Sequence, residues 1–253
     1  MRPQPDKRSI RLFYLLKKLN KCHREHHLLE DGDRIALALS GGKDSCTLLD
    51  ALVQRRGVER YTLVPIHVTP ASDMDCGARA DVPALRAWLD TLGLEYHIVS
   101  AEEVQGRPRR PCQSPCFYCA WRRRKALFDR AQELGCNKLA LAHHADDVAQ
   151  TTLLNLFYQG KVTTMYPRVP LFGGNLTIIR PLAYVSEQEI RRYARVADFP
   201  PSPPPCPTGD ASQRALMRQI VHMVEKNNPH VRAHLWRAAR RYQAAVEKGS
   251  DHA

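Results

Sequence analysis

The sequence predicts an α/β fold in which helices cover both faces of a parallel sheet, the doubly wound arrangement. Strand-like apolar runs alternate with helix-like amphipathic runs from residue 35 onward, and this alternation is typical of parallel sheets. One strand-to-helix junction, at residues 37–49, contains the glycine-rich segment SGGKDS. With 253 residues, the chain is long enough for one large domain of this kind with a helical appendage.

The predicted elements follow in chain order. A basic amphipathic helix over residues 7–29 comes first, and the residues Asp31-Gly32-Asp33 end it. We expect strands at residues 35–39, 61–68, 95–100, 138–142 and 176–179. We expect helices directly after the first strand, at 81–92, 121–134 and 145–158, from Ser186 onward, and across 214–246.

The segment from Ser40 to Ser45 has the chemistry of an anion-binding turn. Gly41 and Gly42 allow a positive φ and a close approach of the main chain to a ligand. The first N–H groups of the following helix have no partner within that helix, and they point at the turn. Lys43 adds a positive charge, and the hydroxyls of Ser40 and Ser45 add donors. The four-residue spacer of a Walker A loop is missing. The segment instead resembles the pyrophosphate loop (PP-loop) of the ATP pyrophosphatase superfamily, whose members split ATP into AMP and pyrophosphate and adenylate a substrate oxygen.

Further polar residues are predicted at the same edge of the sheet, because ligands bind beyond the carboxyl ends of parallel strands. His67 and Val68 end the second strand, and His143, Asp146 and Asp147 follow the fourth. Carboxylates and imidazoles at this position can hold Mg²⁺ or contact a nucleotide. The carboxylates can equally cap the start of the next helix.

Charge and composition favour a polyanionic partner. Lysine and arginine number 38 against 26 aspartates and glutamates, a net charge of +12, which favours nucleic acid or a membrane surface. No apolar run of about 18 residues is present, and the N-terminus lacks the apolar core of a signal peptide. We therefore expect a cytoplasmic protein with no membrane insertion, whose eight cysteines are free, metal-bound or catalytic rather than disulfide-bonded.

Cys116 and Cys119 form a Cys-x-x-Cys pair, which Cys112 extends to Cys-x3-Cys-x2-Cys. Such a pair can be a zinc half-site, a redox dithiol or an iron–sulfur half-site. Cys206, in a proline-rich run, is the distant cysteine in a comparable setting. Three thiolates suit a [4Fe–4S] cluster with one open iron. The extended spacing also matches radical S-adenosylmethionine enzymes formally, although it follows a phosphate loop rather than an early barrel strand.

Four successive cations, residues 122–125, follow the cysteine pair. They can contact the phosphates of a nucleic acid, or they can be a solvated helix start.

The order of these motifs resembles the tRNA 2-thiocytidine synthetase (TtcA) family over residues 7 to 225. The matching segments are Ser40 to Ser45, Cys116-x-x-Cys119, His143-His144-x-Asp146-Asp147, Asn155-x-Phe157-Tyr158-x-Gly160-Lys161 and Ile179-Arg180-Pro181-Leu182. Members of this family thiolate C2 of a cytidine in the tRNA anticodon loop, using ATP, Mg²⁺ and a [4Fe–4S] cluster held by three cysteines.

The resemblance implies a sheet of the PP-loop ATP pyrophosphatase (adenine nucleotide alpha hydrolase-like) type, and it implies a role for each matching residue. The catalytic and metal-binding residues would be Lys43, Asp44 (also a magnesium ligand), Cys116, Cys119 and Cys206, the cysteines holding the cluster. The ATP-binding residues would be Ser40, Gly41, Gly42, Lys43, Asp44, Ser45, His67, Val68, His143, Asp146 and Asp147. The tRNA-binding residues would be Arg122, Arg123, Arg124, Lys161, Arg168 and Arg180, together with the basic N- and C-terminal helices.

The chain departs from the family pattern in its late cysteines. The family has Pro-Cys-x-x-Cys there, whereas this sequence has Cys206 alone, which falls on the second position of that pattern unless three residues are deleted. Cys112 is extra, and it can be a spare ligand, a sulfur carrier or a bystander.

We expect three regions: a basic N-terminal helix (1–30), a PP-loop ATP-binding domain carrying the Cys-x-x-Cys (31–185) and a basic helical region with Cys206 (186–253). The expected partners are tRNA and sulfide or a cysteine-desulfurase-type sulfur donor, and a homodimer is left open. Two alternatives also stay open. One is the same chemistry on another thiolated base or a small molecule, and the other is a zinc-stabilised nucleotide- or RNA-binding module without turnover.

Overall fold

The computed structural model describes residues 6–71, 79–104, 115–204 and 213–250. Its strands are β1 (Arg34–Ala38), β2 (Thr62–Thr69), β3 (His97–Ser100), β4 (Lys138–Ala140), β5 (Arg168–Leu171) and β6 (Leu176–Ile179). Its α-helices are α1 (Lys7–His26), α2 (Lys43–Arg55), α3 (Val82–Thr91), α4 (Pro115–Glu133), α5 (Ala145–Gln159), α6 (Glu187–Ala194), α7 (Gln213–Glu225) and α8 (Val231–Ser250).

The six strands form one sheet in the order β3-β2-β1-β4-β6-β5. The first five strands of that order are parallel, with Leu37 of β1 opposite Pro65 on one side and Ala140 on the other. The predicted doubly wound α/β fold is therefore confirmed. The strand order runs outward from β1 in both directions. Because these strands are parallel, the carboxyl ends of β1, β2, β4 and β6 lie at one edge of the sheet, where ligands bind in such folds.

Strand β5, which the sequence pattern does not predict, is the exception to the parallel pairing. It pairs antiparallel with β6, to which a short turn at residues 172–174 connects it. Gly173 and Gly174 adopt positive φ angles in that turn, so the chain can reverse direction within a few residues. Pro170 is tolerated in β5 because the strand lies at the edge of the sheet.

Alternate side chains of β1 enter two separate cores. Ile35 and Leu37 pack with buried residues of α1, α2, α3 and α6 on one face of the sheet. Ala36 packs on the other face with β2 and with residues of α4. A third cluster joins α5 to α7 and α8 through residues that include Leu153 and Met217. In the part of the chain that the structure describes, no helix is long and apolar enough to span a membrane.

Helix α4 begins earlier than the sequence pattern predicts, at residue 115 rather than 121. Proline is well tolerated in the first turn of a helix, because its missing N–H would be unpaired there. Cys116 and Cys119 consequently lie within the first turns of α4 instead of preceding the helix.

Candidate active site

The segment between β1 and α2 forms a tight turn with glycine at the position that needs it. Gly41 has a φ of +81°, and a Cβ built on it would lie 2.8 Å from the Cβ of Ala80. A side chain is therefore excluded there by both the backbone conformation and the available space. Gly42 is the N-cap of α2 and offers no side-chain cap, so the N–H groups of the first turn remain for a ligand.

The two serines of the turn brace it internally. The hydroxyl of Ser45 donates to the carbonyl oxygen of Gly42 at 2.9 Å and accepts from the N–H of Ser40 at 3.2 Å. The hydroxyls of Ser40 and Ser45 lie 3.0 Å apart. Their predicted contacts with phosphate oxygens stay a prediction, and the contacts within the turn fix its shape.

Lys43 projects its ammonium between two carboxylates. Its Nζ lies 3.1 Å from Asp44 Oδ2 and 3.3 Å from Glu187 Oε1, the latter on the first residue of α6. The other oxygen of Asp44, Oδ1, is buried and has no hydrogen-bond partner among the described residues. An unpartnered buried carboxylate oxygen beside an anion-binding turn is suited to a hard cation such as Mg²⁺.

Glu187 is a site residue that the sequence reading missed. The sequence pattern predicts only that a helix begins at Ser186, where Ser186 and Glu189 form a capping box. Burial alone would raise the pKa of Glu187, but hydrogen bonds and charge from Arg191 and Lys43 lower it to about 2. The residue is therefore a carboxylate at neutral pH, and its negative charge faces the lysine of the turn.

A cavity of about 790 Å³ opens between α4 and the carboxyl ends of the strands. Its walls are mostly apolar and include Val68, Phe128, Leu141 and Met165. Its basic lining residues are Arg123, Arg124, His143, Arg180 and Arg214. Ser40 of the PP-loop reaches the same cavity, so the cavity suits an anionic ligand that extends from the loop. Arg214 is a lining residue that the sequence motifs do not predict.

His143 is a neutral hydrogen-bonding group in this cavity. Arg180 Nε donates to its Nδ1 at 3.2 Å, and Arg180 Nη1 donates to the carbonyl oxygen of Tyr166 at 2.6 Å. Burial lowers the pKa of His143 to about 4, outweighing the opposite effect of Asp147. Because Nδ1 accepts, the single proton of the neutral ring sits on Nε2.

The remaining predicted ATP-site side chains hold the protein framework. Asp146 accepts from the N–H of Glu187 at 2.8 Å and from Arg232 Nε at 2.7 Å. Asp147 accepts from the N–H of His144 at 3.0 Å, as part of a capping box. This is the capping alternative that the sequence left open, while a contact with Mg²⁺ or nucleotide stays a prediction.

His67 lies behind the loop. Its Nδ1 donates to the carbonyl oxygen of Leu39 at 2.7 Å, and its side chain is buried. Burial also lowers its pKa, so the neutral ring fixes the backbone that leads into the turn.

The cysteine pair lies on the helix that lines the cavity. Cys116 and Cys119 are one turn apart in α4, and α4 continues to Arg123 and Arg124. Cys119 is half-buried. Thiolates one helical turn apart fit the donor set of an iron–sulfur cluster.

Cys112 and Cys206 lie outside the described residues, so the predicted role of Cys206 as a cluster ligand stays a prediction. Pro203 Cδ lies 3.9 Å from the Cβ position built on Gly41, and Arg214 lines the cavity.

The predicted tRNA-binding cations diverge from one another. Arg122 turns back to donate to the carbonyl oxygen of Ala101 at 2.9 Å, whereas Arg123 and Arg124 line the cavity. Successive helical residues point in different directions, so Arg122 does not join Arg123 and Arg124 in the cavity lining. Lys161 and Arg168 are exposed.

Comparison with known proteins agrees with this geometry. The PP-loop domain family matches residues 14–225. The tRNA-cytidine(32) 2-sulfurtransferase of Geobacter sulfurreducens is 40% identical over 237 residues, covering 91% of this chain and 90% of its own length. That of Geobacter metallireducens is 42% identical over 220 residues, covering 85% and 84%.

A solved structure shares the fold. The U34-tRNA thiolase NcsA from Methanococcus maripaludis, determined with its [4Fe-4S] cluster, is 25% identical with a TM-score of 0.74, covering 93% of this chain and 79% of that one. The family resemblance seen in the sequence motifs is confirmed. The chain belongs to the PP-loop domain family and, within it, to the tRNA-cytidine(32) 2-sulfurtransferases.

Proposed function

We propose that this protein catalyses the ATP-dependent thiolation of tRNA, replacing the C2 oxygen of cytidine 32 with sulfur to give 2-thiocytidine. The relatives named above act, by their names, on cytidine 32 of tRNA. The observation that carries the proposal is that the PP-loop and the helix bearing Cys116 and Cys119 meet at one cavity. An activating nucleotide and a sulfur-handling site can therefore act on the same atom.

The reaction needs activation because a pyrimidine C2 oxygen is a poor leaving group. In the first step this oxygen attacks the α-phosphorus of ATP, and pyrophosphate leaves. The free N–H groups at the start of α2 and the ammonium of Lys43 would stabilise the charge on the departing pyrophosphate. Asp44, through its unpartnered Oδ1, would hold Mg²⁺, which when bound adds charge neutralisation at the phosphates.

In the second step sulfide adds to C2, and AMP leaves with the original oxygen. Cys116, Cys119 and Cys206 would hold a [4Fe–4S] cluster, which when bound would supply sulfide for this addition. Arg123, Arg124 and Arg214 lie where they can neutralise the phosphate of the adenylated base.

The cavity also provides orientation and protection. Arg180 fixes the ring of His143, and the Nε2–H of this neutral ring can donate to the bound nucleotide. With the substrate bound, the apolar walls would limit the access of water that can hydrolyse the adenylated base.

The partners and setting follow from this chemistry as further parts of the proposal. The polyanionic substrate is tRNA, in keeping with the net charge of +12. The sulfur comes from sulfide or from a cysteine-desulfurase-type donor. We place the reaction in the cytoplasm and leave a homodimer as the oligomeric state to be tested.

A second candidate keeps the chemistry and changes the base. It is favoured by the structural relative, whose name gives U34 of tRNA as its target. A zinc-stabilised module without turnover is separated from both by metal content, because it would contain stoichiometric zinc in place of iron and labile sulfide.

The test is nucleoside mass spectrometry of tRNA after anaerobic incubation with the reconstituted protein, ATP, Mg²⁺ and sulfide. We expect 2-thiocytidine with the wild type and with Cys136→Ala, a buried cysteine packed behind α4, and none with Cys116→Ala. A thiouridine product would move the assignment to the second candidate. Absence of any thionucleoside, from protein shown to contain its cluster, would remove the tRNA assignment.

A further inference from the structure

Helix α1 is anchored along one face. Leu15, Leu19 and Cys22 are fully or nearly fully buried in the core that α2 and α6 share. The guanidinium of Arg11 donates to the carbonyl oxygen of Arg192, at the end of α6. This face therefore accounts for the stability of the helix, and the opposite face is available for another role.

The opposite face combines aromatic residues with cations. Ile10, Tyr14, Lys17, Lys21 and Arg24 recur at three- and four-residue spacing and so share a side of the helix. Phe13 and Tyr14 are 65% and 59% exposed, and their rings meet edge to face with centroids 5.6 Å apart. We call these residues, with Phe13, the α1 stripe. A solvated surface has no need of two exposed aromatic rings beside a row of cations.

A groove of about 350 Å³ runs beside the stripe, lined by Tyr14, Lys17, Lys18, Lys21, Arg24 and Glu189. Lys18 is paired with Glu189 at 2.6 Å, which neutralises the one carboxylate in the lining. Lys21 Nζ lies 4.0 Å from Glu25 Oε1, a weak pairing for an exposed lysine. The groove consequently presents a net positive charge next to an aromatic edge.

We infer that the α1 stripe binds the anticodon arm of the substrate RNA, with backbone phosphates on Lys17, Lys21 and Arg24 and an unpaired base against Phe13 and Tyr14. This inference rests on the proposed function, and it adds a surface to it. Aromatic rings interleaved with cations are the usual platform for single-stranded nucleic acid, because every base offers a ring face for stacking. Paired bases in a stem do not offer that face, so the aromatic pair reads a loop.

The same features argue against a membrane surface. A basic helix that lies on a membrane inserts a broad apolar face into the lipid. The apolar face of α1 is already buried in the protein core. The large exposed apolar residues of the helix are Ile10, Phe13 and Tyr14, which form no broad face for lipid.

Helix α6 connects α1 with the PP-loop through two ion pairs. Helix α6 contacts α1 through Glu189 and, two residues earlier, contacts the PP-loop through the pair of Glu187 and Lys43. Two residues of one short helix therefore connect the RNA surface with the lysine of the loop.

The first experiment measures binding of a fluorescein-labelled anticodon stem-loop RNA by anisotropy, across a range of KCl concentrations. Lys17→Ala/Lys21→Ala is compared with Arg60→Ala/Arg86→Ala, which removes the same charge from exposed positions on β2's leading segment and α3. We expect the slope of log Kd against log salt to fall by about 1.4 to 1.8 in the α1 variant, the value for two lost phosphate contacts, and to stay unchanged in the control. Equal slopes in the two variants would overturn the inference.

The second experiment tests the aromatic pair. We expect Phe13→Ala/Tyr14→Ala to weaken binding of the stem-loop by about fivefold or more and to leave binding of the stem duplex without its loop within about twofold of wild type. An equal loss on both RNAs would contradict stacking on an unpaired base. So would unchanged RNA binding together with conversion of a dimer to a monomer in analytical ultracentrifugation, or with lost binding to phosphatidylglycerol vesicles.

A failure of this inference can be distinguished from a failure of the proposed function. Binding is measured without ATP, and thionucleoside formation by the wild type is measured separately. If the wild type forms 2-thiocytidine while the α1 variants bind RNA normally, the stripe inference fails and the proposed function stands. If the variants lose RNA binding but the wild type forms no thionucleoside, the surface stands and the reaction does not.

Discussion

Replacing Glu187 with glutamine should lower kcat/KM for ATP, and the whole effect should act through the position of Lys43. The carboxylate lies 3.3 Å from the ammonium, with side-chain exposures of 26% and 30%. A partly exposed ion pair of this kind contributes about 1 kcal/mol, which corresponds to about a fivefold change in rate constant. We therefore expect kcat/KM for ATP-dependent pyrophosphate release to fall about fivefold in Glu187→Gln.

A double-mutant cycle with Lys43→Ala separates this effect from a general loss of structure. If Glu187 acts by orienting Lys43, the glutamine substitution should cost about fivefold in the wild type and nothing in the Lys43→Ala background. Glu189→Gln is the matched control, because it removes a charge from the same helix at its pair with Lys18. Equal losses from Glu187→Gln in both backgrounds, or a gain in ATP affinity on removing the negative charge, would refute the reasoning.

Three further outcomes follow from the site. Cys119→Ala should lose its iron and acid-labile sulfide after anaerobic reconstitution yet bind ATP normally in calorimetry, and unchanged iron content would contradict its role in the cluster. Gly41→Ala should lose about 1–3 kcal/mol of stability and its affinity for ATP, because of the positive φ and the 2.8 Å contact. Gly57→Ala, with open space around its Cβ, should keep both. Thermal unfolding measures the stability, and calorimetry measures the ATP affinity. Burial lowers the pKa of His143 to about 4, so the unfolded chain binds its proton more readily and stability falls as the pH drops below about 6.5. Between pH 7 and pH 5, urea unfolding should show that protonation of His143 lowers the free energy of unfolding by at most about 2 kcal/mol. An equal decrease in His143→Gln would show that another group causes it.

The parts of the site that could be predicted from sequence are those in which neighbours along the chain make the chemistry. The PP-loop is contiguous from Ser40 to Ser45, so its glycines, its lysine and its place before a helix are all visible in one short window. The alternation of strands and helices is likewise local, and it predicts a doubly wound sheet.

The parts that could not be predicted depend on partners far apart in the chain. Lys43 meets Glu187 and Asp146 meets Arg232, and no local pattern distinguishes these carboxylates from ordinary helix-start residues. Strand β5 has four residues, one of them proline, and no alternation of apolar and polar side chains, so its pairing depends on the turn and on β6. The cations at 122–125 are adjacent in the sequence, but a helix distributes successive side chains around its axis, so Arg122 and Arg123 meet different partners.

Asp146 has a consequence for how variants of this enzyme are interpreted. The buried carboxylate of Asp146 lies on α5. It accepts one hydrogen bond from the backbone N–H of Glu187, at the start of α6, and another from the guanidinium of Arg232, on α8. Its loss would release the start of α6, and with it Glu187 and Lys43, so an inactive Asp146 variant would resemble a catalytic knockout. Its distinguishing sign would be a lowered melting temperature in the absence of nucleotide. For the same reason, a truncation that removes α8 would disable an ATP loop almost two hundred residues earlier in the chain.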